Sequence, residues 1–431
     1  MTKKKVIDLR HVLDLKGGEN SHLNASLLTS VTGGLVHTLA PFIYGPSYDL
    51  GAKSRLPGWT NIGDISACLK TSIGLGELYD DSPEPHIVVA SKHTRPVVIA
   101  KAKTQLDALI KAMAGDLNSP FGGFFGFNTS LTYDTAEFLD RMFIEGVLAP
   151  SYEQGSVDKL KRVKRRFLID SSDVKKEHLN VFGYSLQPVA NGCFIEQDLE
   201  PPFNALEECV VVTGNDENSD ITSLDPQLIN DIDFAGNAAI YLGSNLVFYV
   251  HNGAIAGLGD ACGARTVAAR KARNMLEDSA YAAMSTDVKE NWEKVLYDTP
   301  FTEQDFSTLK RPLRLVAFSD AFFPKLDGFV ETSGIDRIHS SFGKREVQYQ
   351  EGDEIKTFIP KKDNHDINYD EYLIPEVVVQ PGGSNGDEVI IPMADQFDVK
   401  MVFTMTPEIY EKYQIGEKGA TGRRFFGHTI M

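Results

Sequence analysis

The run Leu313-Arg314-Leu315-Val316-Ala317-Phe318 constrains the fold of this chain more than any other stretch. It is apolar with little alternation and holds neither glycine nor proline, the pattern of a strand buried in a covered, largely parallel sheet. It leads straight into Ser319-Asp320-Ala321-Phe322-Phe323-Pro324-Lys325-Leu326-Asp327, a loop crowded with two aspartates, two adjacent phenylalanines and a proline. In open α/β sheets ligands bind in the crevice beyond the carboxyl ends of the strands. The loop therefore reads either as part of a site or as a packed turn whose aspartates cap the next helix, and local pattern alone favours the turn.

A second buried strand, Ile87-Val88-Val89-Ala90, also ends in a polar loop, Ser91-Lys92-His93-Thr94-Arg95-Pro96. Helical periodicity is expected from about 102 to 114, with Leu106, Leu109, Ile110 and Met113 on one face, and again over 135–143 and 232–242. Between them, Ser119 to Asn128 carries paired glycines and reads as a ligand-approaching loop or as a strand with a glycine bulge. Ile144 to Pro150 reads as a strand that carries a buried acid, Glu145. Gly257, Gly259 and Gly263 form a glycine-rich loop before a helix, but their spacing is not that of a dinucleotide fingerprint.

At 431 residues the chain is too long for one ordinary core and suits two domains. The stretch 200–226, rich in Asp, Glu, Asn and Pro, places the boundary between domains of residues 1–205 and 206–431. The second domain carries an insertion near 330–375, where Val347 to Phe358 reads as a hairpin. No apolar stretch is long enough to cross a bilayer, and the lysines after Met1 lead to Asp8 and Arg10 instead of a signal core, so a cytoplasmic protein is expected. A formal net charge of −17 argues against nucleic acid or an anionic membrane as partner. The basic run Lys159 to Arg166 reads as a solvated helix face. Cys68, Cys193, Cys209 and Cys262 are scattered without a paired spacing, so free thiols and no zinc site are expected.

Ser319 to Pro324 matches, without a gap, the SDAFFP signature of the formyltransferase domain that acts on aminoimidazole carboxamide ribonucleotide (AICAR). The chain resembles that family in unbroken order from about residue 10 to 428. Gly18, Glu19, Asn20 and His22 resemble its LRYGENPHQ segment, with Lys16 where the family has Arg and Gly17 where it has Tyr. Lys92 and His93 resemble its catalytic Lys-His pair, and Phe121 and Gly122 resemble the start of its FGG turn. Glu145 falls on its acidic nucleotide contact. Asn252 matches an asparagine that touches both substrates, and Arg265 an arginine of its glycine loop. Val377 to Ser384 restores its QPGGS turn, although Asn385-Gly386 departs from it before Asp387. Arg424, Phe426 and His428 resemble its closing RxFxH.

The resemblance implies duplicated cytidine-deaminase-like α/β/α domains without that fold's zinc, in a homodimer with shared sites. It implies formyl transfer from 10-formyltetrahydrofolate to the 5-amino group of AICAR in purine biosynthesis, by a stand-alone chain without the cyclohydrolase domain, and it leaves room for a monovalent cation. On this reading Lys92, His93, Asn252, Asp327 and His428 are catalytic. Lys16, His22, Phe121, Gly122, Glu145, Arg265, Phe322, Pro324, Arg424 and Phe426 bind substrate. The chemistry suits these types: the acceptor amine is delocalised toward its carboxamide and needs its proton removed as it attacks, which histidine can do, while an adjacent ammonium stabilises the developing oxyanion. The departures at Lys16, Gly17, Arg95, Lys325 and Gly386 keep two rivals open, a transferase for another amine or donor and a non-catalytic nucleotide-binding relative.

Overall fold

The computed structural model describes residues 8–20, 22–32, 35–36, 42–44, 57–176, 184–214, 220–284, 314–335, 347–351, 354–358, 373–412 and 421–425. The chain is a mixed α/β protein that divides into two compact units, one of residues 1–109 and 118–201, the other of 110–117 and 202–430.

The first unit opens with a small sheet, β1 (Asp8–Asp14), β2 (Ser26–Thr32) and β3 (Leu35–Val36), antiparallel throughout. Then follow β4 (Phe42–Tyr44), α1 (Trp59–Tyr79), β5 (His86–Lys92), β6 (Arg95–Ala102), α2 (Gln105–Gly115), β7 (Phe124–Phe127), α3 (Tyr133–Asp140), β8 (Gly146–Ala149), α4 (Ser156–Leu160) and β9 (Phe167–Asp170). The main strands lie in the order β6-β5-β7-β8-β9-β4. Strand β5 runs antiparallel to β6 and β7, strands β7, β8 and β9 are parallel, and β4 closes the edge antiparallel to β9. A hairpin of β10 (Ser185–Pro188) and β11 (Phe194–Gln197) ends the unit.

The buried strands explain the packing. Ile65, Cys68 and Leu69 of α1 pack on Phe124, Leu148, Phe167 and Ile169 of the sheet, and each large apolar side chain buried this way contributes about 1.5–3 kcal/mol. Helix α1 starts at Gly58, whose N–H donates to Asn61 Oδ1 at 2.9 Å, half of a reciprocal cap. The basic run is not a helix face. Helix α4 ends at Leu160, and Arg166 is buried, donating to the carbonyls of Leu139, Asp140 and Met142 at the end of α3 and pairing with the Asp140 carboxylate at 2.9 Å. Its partners are the orphan carbonyls of a helix end, which a cation satisfies.

The second unit comprises α5 (Ala205–Glu208), β12 (Val210–Val211), α6 (Pro226–Ala239), β13 (Val247–His251), β14 (Ala254–Gly259), α7 (Arg265–Met284), β15 (Val316–Ser319), α8 (Leu326–Ser333), β16 (Val347–Glu351), β17 (Glu354–Phe358), β18 (Val377–Gln380), α9 (Asp387–Gln396), β19 (Lys400–Phe403) and α10 (Pro407–Tyr410). Its main strands lie in the order β14-β13-β15-β18-β19-β12. Strand β13 is antiparallel to β14 and β15, strands β15, β18 and β19 are parallel, and β12 is antiparallel to β19. Strand for strand, these are the pairing senses of the first unit. Even the register shift recurs, between Ala90 and Ser91 on β5 and between Tyr249 and Val250 on β13.

Strand β15 and the preceding Leu315 are buried, as the apolar run demands, while Leu313 lies outside the described residues. Gly257 and Gly259 sit on β14 and not in a loop. A Cβ at either would collide with the backbone of α7, so these glycines let the helix lie flat on the strand. Strands β16 and β17 pair as an antiparallel hairpin. Among the described residues, no helix is long and apolar enough to cross a membrane, and no group of His, Cys, Asp and Glu could hold a metal. The four cysteines are free thiols.

Candidate functional site

In the first unit the candidate residues gather around the turn that joins β5 to β6. Its two central residues, His93 and Thr94, have φ of 56° and 68°, the left-handed pair that a two-residue hairpin of this twist requires and that Asn-Gly normally supplies. A β-branched residue there is an outlier, and each non-glycine residue held in this region costs about 1–2 kcal/mol. Something must hold the turn. Helix α1 does: Asp64, only 3% exposed, accepts the Thr94 N–H at 2.6 Å. Next to it, a Cβ on Gly63 would run into the Thr94 methyl.

Lys92, the last residue of β5, is half-buried and donates from Nζ to the Phe121 carbonyl at 2.9 Å. Gly122 (φ +77°) donates to the Phe143 carbonyl at 2.7 Å, and the Gly123 carbonyl accepts the Glu145 N–H at 2.9 Å. These bonds tie the Phe121-Gly122 turn to both Lys92 and Glu145. Glu145 is half-buried and lies one residue before β8, where the sequence pattern placed a buried acid within a strand. Its main-chain groups still bond Gly123, just before β7, and Phe167 of β9, so it continues the pairing at the strand's start. His93 is exposed at the tip.

Burial is the main cause that pushes the Asp64 carboxyl up from near 3.8 to about 7; the Thr94 amide opposes the rise, the Glu145 charge adds to it, and the Lys92 ammonium opposes it. An acid whose pKa is higher in the folded chain binds its proton more tightly there. It therefore contributes stability below about pH 4 that is lost as pH rises through 7. Over a shift of this size the loss is on the order of 4 kcal/mol. Asp64→Asn has no such term, so the stability of the parent relative to this variant should fall between pH 4 and pH 8 in urea titrations. A pH-independent difference would contradict the assignment.

Lys16 and His22 are exposed. The Lys16 N–H donates to the Pro57 carbonyl at 3.0 Å, and the Trp59 N–H donates to Gly17 at 3.3 Å, which sets Lys16 at the start of α1. The first turn of that helix carries no acid, and a helix N-terminus beside a cation favours an anion.

The second unit has its own version of the turn. Asn252 and Gly253, with φ of 50° and 74°, join β13 to β14. Asp231 of α6, 1% exposed, accepts the N–H of Asn252 at 2.8 Å and of Gly253 at 2.7 Å. At the opposite end of β13, level with Val247, the loop after β15 splits in two. Ser319, Asp320, Ala321 and Phe323 face inward, with Phe323 donating its N–H to Gln380 Oε1 at 3.0 Å and packing edge-on to Phe329. Phe322 is half-buried, and Pro324 and Asp327 are exposed, with Asp327 in the first turn of α8. The inward-facing residues make a packed turn, but its aspartates do not cap the next helix: Asp320 accepts the Leu246 N–H and Asp327 accepts the Gly328 N–H inside the first turn of α8. Arg265 pairs with the fully buried Asp320 and donates to the Leu246 carbonyl at 2.9 Å. The closing segment is fixed by the Phe425 N–H on the Asp320 carbonyl at 3.0 Å, which holds the Arg424 guanidinium 5.0 Å from the Phe322 ring centre. In the Pro381-Gly382-Gly383-Ser384 turn the amides of Gly383 and Ser384 donate to Asp387 Oδ2 at 3.0 and 2.9 Å, so the first residue of α9 takes these amides with the chain's own carboxylate. Phe426 and His428 lie outside the described residues.

The model of the AICARFT/IMPCHase bienzyme family matches residues 1–275. The chain belongs to that family. Its bienzyme relatives include the bifunctional purine biosynthesis protein PurH of Chlorobium phaeobacteroides strain BS1, 25% identical over 399 residues that cover 92% of this chain and 58% of the relative. PurH of Chlorobium luteolum is 26% identical over 398 residues, covering 92% and 59%. PurH of Brucella anthropi is 26% identical over 346 residues, covering 80% and 50%. The chain thus spans between half and three-fifths of the length of these bienzyme relatives. Sequence reasoning missed Asp64, Asp231 and Thr94. The signal was available for Asp64, a charge set among Ile65, Cys68 and Leu69 on the apolar face of a helix.

Proposed function

We propose that this member of the AICARFT/IMPCHase bienzyme family transfers a formyl group from 10-formyltetrahydrofolate to the 5-amino group of AICAR. The observation that carries the proposal is the Lys92-His93 pair, presented at the tip of the β5-β6 hairpin on a turn that α1 holds in an unfavourable conformation. Strain of this kind persists where the surrounding structure over-determines it, and it clusters at active sites. His93 is exposed and can take the amine proton as the nitrogen attacks the formyl carbon. Lys92, fixed by Phe121, stabilises the oxyanion that forms there. Phe121 and Glu145 border the nucleotide, Lys16 and Arg424 take its phosphate, and Asn252, Asp327, Phe322 and Pro324 serve the second substrate. The test is a single assay of AICAR with the formylated folate, expected to give turnover on the order of 1–1,000 s⁻¹. Formation of product no faster than in buffer would overturn the proposal.

The domain reading follows the same line: residues 1–205 and 206–431 are two copies of a cytidine-deaminase-like domain, supported by the shared strand order, the shared register shift and the paired turns. The sites are shared between the subunits of a homodimer, His93 from one and Asn252 from the other. Heterodimers of inactive His93→Ala and Asn252→Ala chains should then regain up to about half of the normal sites, and no recovery would place both residues in one subunit.

A further inference from the structure

We propose that Asp64 is the positioning residue for the His93-Thr94 turn, holding its left-handed form through the Thr94 N–H, with Gly63 vacated to admit the Thr94 side chain. Three independent observations point the same way. The turn carries two non-glycine residues at positive φ, one of them β-branched. The Thr94 N–H donates to Asp64 at 2.6 Å, short for an N–H donor, and the accepting carboxylate is almost fully buried. A Cβ at residue 63 would occupy the space of the Thr94 methyl.

The second unit shows the same device in a relaxed form. Asp231, at the corresponding place on its helix, accepts both turn amides. There the residue before the aspartate is Asn230 and the second turn residue is Gly253. In each unit, one member of the helix and turn pair is a glycine. The relaxed turn needs no sterically costly threonine. The strained one, which carries the Lys-His pair, depends on its aspartate.

The inference rests on the formyl-transfer reading for its kinetic arm alone. Asp64→Leu, of similar volume without an acceptor, should lower kcat by at least about tenfold with the nucleotide KM nearly unchanged, because displacing a reacting group by a fraction of its reach costs rate and not ground-state binding. Hydrogen exchange of the peptide spanning 90–97 should rise at least about tenfold in the same variant. Asp64→Asn keeps an acceptor and should keep both kcat and the protection. Thr94→Gly, which removes the β-branched residue's share of the strain, should restore both in the Asp64→Leu background and leave the parent protein unaffected. Unchanged exchange in Asp64→Leu, or a folded Asp64→Leu protein that Thr94→Gly does not rescue, would overturn the assignment. If the parent showed no formyl transfer, the proposed function would fall while the exchange arm still decided this inference.

Discussion

His93→Ala should form product two to four powers of ten more slowly than the parent, the range found for a general acid or base, with the nucleotide bound about as tightly. The structure makes this a clean measurement. Among the described residues no hydrogen bond or ion pair holds the His93 ring, so truncation leaves no buried partner unsatisfied. The turn is held by the Thr94 amide and Asp64, not by the imidazole. Alanine tolerates a φ of 56° less well than histidine, so a control for backbone geometry is needed. His93→Asn adds a control, because asparagine tolerates that conformation and cannot serve as the base. Both variants should therefore lose rate alike. If Asn restored turnover, His93 would act through backbone geometry, and the base would have to be sought elsewhere.

The parts of this molecule that the sequence made legible are those where local chemistry and tertiary structure agree. Unbroken apolar runs became buried strands: 87–90 lies within β5, and 315–318 is buried with β15. Helical periodicity found α2 and α3 to within a few residues, since each offers one apolar face to a sheet. The failures were residues whose role is set by distant partners. Glu145 lies one residue before β8, although its backbone still bonds Gly123 and Phe167 along the neighbouring strands. Arg166, in a run that looks solvated, is buried because the end of α3 needs a cation. Gly257 and Gly259 read as part of a loop before a helix and instead lie on β14, where they make room for α7. Asp64 was passed over because nothing nearby in sequence announces the turn it serves, 30 residues on. Motif matching placed the candidate residues, whereas the bonds that hold them came only from the fold.

Arg265→Ala should destabilise the second unit by about 3–5 kcal/mol, the cost of leaving a buried charge without its partner. Asp320 is completely buried, Arg265 is 9% exposed, and one carboxylate oxygen of Asp320 has no hydrogen-bond partner among the described residues. With Arg265 gone, the carboxylate keeps only the Leu246 N–H, at 3.0 Å. The loop that carries Phe322 and Asp327 starts at this residue, so its order should fail first. The first unit indicates the remedy. Asn128, the first residue after β7 as Asp320 is after β15, accepts the Ile87 N–H at 2.8 Å and donates to the Pro85 carbonyl at 2.8 Å, with no charge at all. Adding Asp320→Asn to Arg265→Ala should therefore recover most of the lost stability, since the amide keeps the acceptor and removes the buried charge. Urea titration of the two single variants and the double variant measures the coupling. The double variant also separates the two roles of Arg265. If the arginine serves only to neutralise Asp320, the refolded double variant should turn over normally. A nucleotide KM that stays high after stability has returned would show that Arg265 also touches the substrate, as the family resemblance implies.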